Sequence, residues 1–202
     1  MTFQTVAAFL STVVAFYTIV PYIRAILKGK TKPHQLSWVV FVIMNFIVLI
    51  SQYLEGARSS VLITLAFCIG SLWILILSFK YGTRDTSRWD RALFIFALAT
   101  IVIWVLTKSN ATAIWLTLLI DFAATTMLIL KIRSLPGSED HVSWVFGSLA
   151  YLLTNLSLFG TPPGILYVRP IYGLLSDAAV VAAIFYYKKK GAVVTTVTPA
   201  GV

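Results

Sequence analysis

Residues 3–38 read FQTVAAFLSTVVAFYTIVPYIRAILKGKTKPHQLSW. The first 25 of these carry a single charge, Arg24, three residues from the end of the run. About 20 mostly apolar residues are enough to cross a bilayer as a helix. Lys28, Lys30 and Lys32 then follow within five residues before apolar residues resume at Leu36. A long apolar run closed by a basic loop is the grammar of a membrane protein. The opening residues MTFQT hold no basic side chain and the apolar run is too long for a signal peptide, so the sequence predicts a retained first helix.

The rest of the chain repeats that grammar. Of 202 residues 59% are hydrophobic and only 11% charged, with mean hydropathy +0.89. Soluble domains carry roughly 25% charged residues, and disorder needs still more charge, so both classes are excluded. Seven spans are predicted, over Phe3–Leu27, Leu36–Leu54, Ser59–Lys80, Arg91–Thr107, Ala111–Ile132, Ser143–Phe159 and Pro170–Tyr187. The runs lack the alternation of a membrane barrel, so the fold class is all-α. Gly191–Val202 has neither charge nor period and is predicted to be a disordered tail.

Charge sets the orientation. The net charge is +9, from 16 basic and 7 acidic residues. With the N-terminus outside, Arg24, Lys28, Lys30, Lys32, Lys80, Arg84, Arg88, Arg91, Lys131, Arg133 and Lys188–Lys190 fall inside. Only Arg58, Lys108 and Arg169 fall outside. That bias predicts a cytoplasmic C-terminus. Tyr22, Trp38, Trp89 and Trp144 fit an inner aromatic belt, and Tyr53, Trp104, Trp115 and Tyr167 an outer one. The basic excess is thus spent on topology, and no nucleic-acid partner is implied. Cys68 is the only cysteine, so there is no disulfide framework.

An internal repeat follows. A shift of 106 residues brings Ala15-Phe16 onto Asp121-Phe122 and Ser37-Trp38-Val39 onto Ser143-Trp144-Val145. A shift of 109 brings Lys80-Tyr81-Gly82 onto Lys189-Lys190-Gly191. Three helices are an odd number, so a direct fusion would invert the second copy, and one extra helix restores its orientation. The organisation predicted is a first three-helix unit over 1–82, a linker helix within 83–109, a second unit over 110–191 and a tail over 192–202. Paired parallel units with a midplane site between them recur among transporters.

Residues 15–38, with Pro21-Tyr22 followed by a basic stretch and Ser37, resemble the first helix and loop of the PQ-loop superfamily, which includes the SWEET and SemiSWEET sugar carriers. The resemblance extends to the whole 3+1+3 plan. It implies alternating access, Pro21 as a hinge and a sugar-like solute. It also implies that the family's sugar-binding Asn positions fall at Cys68 and Asp177, so Cys68 joins the candidate site.

From the residues themselves, Asp121 and Asp177 stand out. Asp121 lies about 15 Å into its predicted helix and Asp177 about 10 Å into its own. A charge at mid-bilayer costs about 2.5–3.5 kcal/mol or more, which makes a functional role the default. No basic residue is predicted at matching depth, so the reading is of a net acidic site suited to a cationic or proton-coupled solute. Asn45 and Asn155 are the best amide ligands, because an amide both donates and accepts. Trp73 offers a ring for stacking. Ser71, Ser148, Thr154 and Ser176 read as interhelical glue, and Gly70 and Gly173 as close-packing points.

No metal spacing, nucleophile motif or phosphate loop occurs, so neither a cofactor nor an enzyme is predicted. His34 and His141 read as loop histidines, and Asn110-Ala111-Thr112 as a glycosylation pattern on the outer side. The expectation is a carrier of a small polar solute. A proton-coupled amino-acid or organic-cation carrier using Asp121 and Asp177 is the alternative, and a non-transporting seven-helix receptor a third. The lipid bilayer is the implied partner; protons and a homo-oligomer are left open.

Overall fold

A computed structural model describes residues 2–31, 33, 35–57, 61–82, 88–134, 136, 139, 141–160 and 164–197. Lys32, His34, Arg58, Arg84, Asp85 and Asp140 lie outside the described residues. The described chain is all-helical, without a strand. Its seven helices are α1 (Phe3–Leu27), α2 (Gln35–Leu54), α3 (Val61–Tyr81), α4 (Arg88–Thr107), α5 (Asn110–Ser134), α6 (His141–Ser157) and α7 (Ile165–Val197).

Local chemistry sets several boundaries. Thr2 caps α1, its hydroxyl accepting from the Thr5 amide at 3.3 Å. Gly29 ends the same helix at φ +66°, and the Lys30 amide reaches back to the Ala25 carbonyl at 2.9 Å. Only a left-handed residue allows that closure, and glycine adopts the conformation without penalty. Gly56 ends α2 in the same way at φ +84°.

Two predicted boundaries are corrected at α7. The helix starts five residues before Pro170, which lies inside it. It also runs on to Val197, across much of the stretch expected to be a disordered tail. Between Pro170 and Val197 the sequence holds no further proline to interrupt the helix.

Among the described residues, four helical segments are long and apolar enough to cross a membrane: Phe3–Leu27, Val61–Tyr81, Asn110–Leu130 and Ile165–Lys189. Trp38–Leu54 and Phe94–Thr107 are shorter apolar helices, and α6 spans 17 residues. Phe9, Ile95, Leu106, Phe122 and Leu175 are all more than half exposed. So much outward apolar surface would drive a soluble monomer to aggregate. The fold is compatible with an integral membrane protein.

The principal helix contacts join α1 to α6, α6 to α7, α7 to α5, α5 to α2, α2 to α3 and α3 to α1. They close a ring of six, with α4 packed on the adjacent pair α2 and α5. Small residues let the helices approach: an added Cβ at Gly70 of α3 would strike the Ile19 side chain of α1. One core cluster, Ala15, Ile63, Ala66, Ala150 and Tyr151, joins α1, α3 and α6. A second, Val40, Met44, Ala97 and Ile120, joins α2, α4 and α5. A third, Ile132, Val180 and Ile184, ties α5 to α7.

Candidate functional site

Asp121 lies eleven residues into α5, about 17 Å along the helix. Its carboxylate meets the guanidinium of Arg169, on α7, with Nη1 to Oδ2 at 3.7 Å. The two side chains are only 14% and 8% exposed. This corrects the expectation that no cation stands at the depth of the aspartates. The sequence reading puts Arg169 in the outer loop because Pro170 marks the predicted start of the last helix. Because α7 begins at Ile165, Arg169 is instead carried inward by one turn and into the protein.

Asp177 lies two turns further along α7, half-buried. Arg169 interacts electrostatically with both carboxylates and with the Tyr151 and Tyr172 hydroxyls. Tyr172 in turn interacts with Asp121 and Ser176. The Ser176 hydroxyl is bonded to that of Thr125 at 2.9 Å, pinning α7 to α5 beside the charges. The structure thus gathers Asp121, Arg169, Tyr172 and Asp177 into one cluster, and its formal charge with both carboxyls ionised is −1.

α6 forms the wall facing these groups. The Asp177 carboxylate rests on Gly147, where an added Cβ would collide with Oδ2. The Tyr151 ring rests on Gly173 in the same manner. Nearer the outer turn, the Tyr167 hydroxyl donates to the Leu158 carbonyl. The three contacts define one antiparallel register, because each step forward on α6 matches a step back on α7. Interpolated within it, Asn155 faces Arg169.

Both of these residues carry a buried atom that makes no hydrogen bond: Oδ1 of Asn155, and Nη1 of Arg169, which is held only by the 3.7 Å ion pair with Asp121. The Asn155 amide nitrogen is already used, donating to the Tyr151 carbonyl at 2.8 Å. Such atoms are rare in folded chains and mark places where a ligand or water can bind. Tyr151 itself reaches beyond α6. It packs with Ala15 of α1 and stands 5.2 Å from the ring of Phe67 on α3. The charged cluster therefore borders the helices on the far side of the ring.

The other candidates separate. Asn45 is buried between α2 and α3, where its amide donates to Ser71 at 3.4 Å, so it holds those helices together. Cys68 is buried in α3. Trp73 is 55% exposed on α3, away from the cluster of Asp121, Arg169 and Asp177. Thr154 and Ser148 bond to carbonyls of their own helix. Pro21 lines a different space. A cavity of about 450 Å³ opens where α1 ends and α6 begins, and its walls include Pro21, Arg24, Lys28, His141 and Lys188 but neither aspartate.

Among the described residues no group of three or more His, Cys, Asp or Glu is placed to hold a metal ion. Arg169 is the functional residue that sequence reasoning missed as such. The signal was present in ILYVRPIY, residues 165–172, where apolar residues flank the arginine on both sides. In comparisons with known proteins, the chain matches no family model, no curated protein and no solved structure.

Proposed function

We propose that the chain is a membrane carrier for a small polar solute, working by alternating access between two three-helix units joined by α4. The observation that carries this reading is the buried cluster of Asp121, Arg169 and Asp177, in which Arg169 Nη1 makes an ion pair but no hydrogen bond, with the Asn155 Oδ1 acceptor also left without one. Ionisable groups among apolar helices are costly and persist where they serve a path. The ring of helix contacts supports the two units. Contacts α1·α3 and α2·α3 on one side correspond to α5·α7 and α6·α7 on the other, with α1·α6 and α2·α5 joining them.

The offset of 106 residues supports the duplication. It maps Asp121 onto Ala15, which belongs to an apolar core cluster. The second unit has therefore placed charge where the first has apolar packing. Two carboxyls and one guanidinium are neutral when one proton is bound, so the cluster suits proton coupling. The hydrogen-bonding capacity left unused on Arg169 Nη1 and Asn155 Oδ1 serves the solute.

The test is uptake by the purified protein in liposomes, across a panel of amino acids, amines and monosaccharides, with and without an inward proton gradient. At least one solute is expected to accumulate and to respond to the gradient. Asp121→Asn and Asp177→Asn should abolish that response. Failure to move any solute would favour a receptor and overturn the reading.

A further inference from the structure

The cavity near the end of α1 has a polarity that the transport reading leaves unexplained. Its walls come from α1, α6 and α7 and their adjoining turns, and from none of α2, α3 or α5. On α1 the lining begins at Tyr17 and Pro21 and ends at Arg24 and Lys28, about 16 Å along the helix. On α7 it passes from Ile184 to Lys188, one turn later. Lys30 closes the rim. Both helices therefore change from apolar to basic in the same direction. Glu139 and His141 also face the space, and with four Lys and Arg against one carboxylate it stays positive with His141 neutral.

A space that is apolar at depth and cationic at its mouth matches an amphiphile with a phosphate head. The charge bias of the loops puts this mouth at the cytoplasmic surface, where anionic lipid headgroups lie. Basic pockets between membrane helices on that side hold such headgroups. We infer that the cavity between α1, α6 and α7 binds an anionic phospholipid, its phosphate held by Arg24, Lys28 and Lys188 and its glycerol and upper chains against Tyr17 and Ile184. The inference needs the helices to cross a membrane in the stated orientation and is independent of what, if anything, the protein transports.

The pocket is bounded on one side by Pro21, so an occupied pocket would brace the segment of α1 that packs on α6. The shared chemistry, a phosphate ester, is also present in soluble organic phosphates, and the experiment separates the two. Full-length protein purified in detergent is incubated with equimolar dioleoylphosphatidylglycerol and dioleoylphosphatidylcholine, and retained lipid is counted by native mass spectrometry. Phosphatidylglycerol should be retained in preference. Lys28→Gln/Lys188→Gln should lower that preference roughly thirtyfold, from the loss of two lysines near an anionic head. Lys80→Gln, which removes an exposed lysine at the end of α3 outside the pocket, should leave it unchanged.

Glycerol 3-phosphate, offered alone as the soluble probe, should neither displace the lipid nor raise the thermal midpoint. Equal retention of the two lipids would overturn the inference. So would a Lys80→Gln effect as large as that of the double variant, which would indicate overall charge. Displacement of lipid by glycerol 3-phosphate would overturn it in favour of a soluble organic phosphate.

Discussion

Replacing Arg169 by methionine removes the single cation from a buried cluster that holds two carboxyls. At the observed 3.7 Å separation, an effective dielectric of about 20 gives an attraction to Asp121 of about 4 kcal/mol. Much of that is offset by the cost of burying both charges, but removing one partner leaves the other buried and uncompensated, at a cost of about 3–5 kcal/mol. In a chain of this size each kcal/mol moves the thermal midpoint by roughly 2–4 °C, so Arg169→Met should lower it on the order of 10 °C.

Asp121→Asn should cost less, because Asp177 still faces Arg169. Asp121→Asn/Asp177→Asn should be severe again, since it strands the guanidinium. The combination Asp121→Asn/Arg169→Met/Asp177→Asn should recover most of the loss, because an uncharged replacement of a buried ionic group is often neutral or better. The assay is thermal unfolding of each variant in the same detergent, followed by circular dichroism. A triple variant as unstable as Arg169→Met, or an Arg169→Met protein as stable as the parent, would refute the reasoning.

Three further outcomes follow from contacts around the cluster. Gly147→Ala should fold but move the Asp177 carboxylate off α6, lowering uptake in the parent and having no further effect in an Asp177→Ala background; equal loss in both would contradict the contact. Gly173→Ala should cost about 1–3 kcal/mol by driving a methyl into the Tyr151 ring, and adding Tyr151→Leu should relieve it in the same unfolding assay. Asn45→Ala should cost about 0.6 kcal/mol of packing, and Trp73→Ala should leave stability unchanged; neither should alter the KM of uptake, and a raised KM for either would return that residue to the solute path.

The parts of the fold that one helix determines alone were legible in the sequence. α1 has the predicted bounds because the Thr2 cap, the apolar run and the Gly29 stop all lie within a local window. The depth of Asp121 was legible for the same reason. The partner of Asp121 was not, because pairing depends on how α7 sits against α5, and Pro170 drew the predicted start of α7 past Arg169. A proline inside a helix leaves one carbonyl without its usual amide, which neighbouring groups can repair.

Asn45 and Asn155 show the same limit from another side. Asn45 lies in the middle of α2 and Asn155 in the last turn of α6, both within apolar runs, and composition treats them alike. Only the packing reveals that Asn45 is consumed by Ser71 while Asn155 keeps a free acceptor opposite Arg169. Trp73 looked deep because it lies in the middle of a long apolar run, but position along a helix says nothing about which face a residue occupies.

The central claim is that Asp177, clustered with Asp121 and Arg169, lies on a water-accessible path through the helices. The direct measurement is thiol labelling of Cys68→Ala/Asp177→Cys in sealed proteoliposomes, with a membrane-impermeant methanethiosulfonate added to one face at a time. A cluster on an alternating-access path should be modified from either face. Reaction with a lipid-soluble maleimide alone, with no modification by the charged reagent from either side, would place position 177 in the lipid and contradict the account.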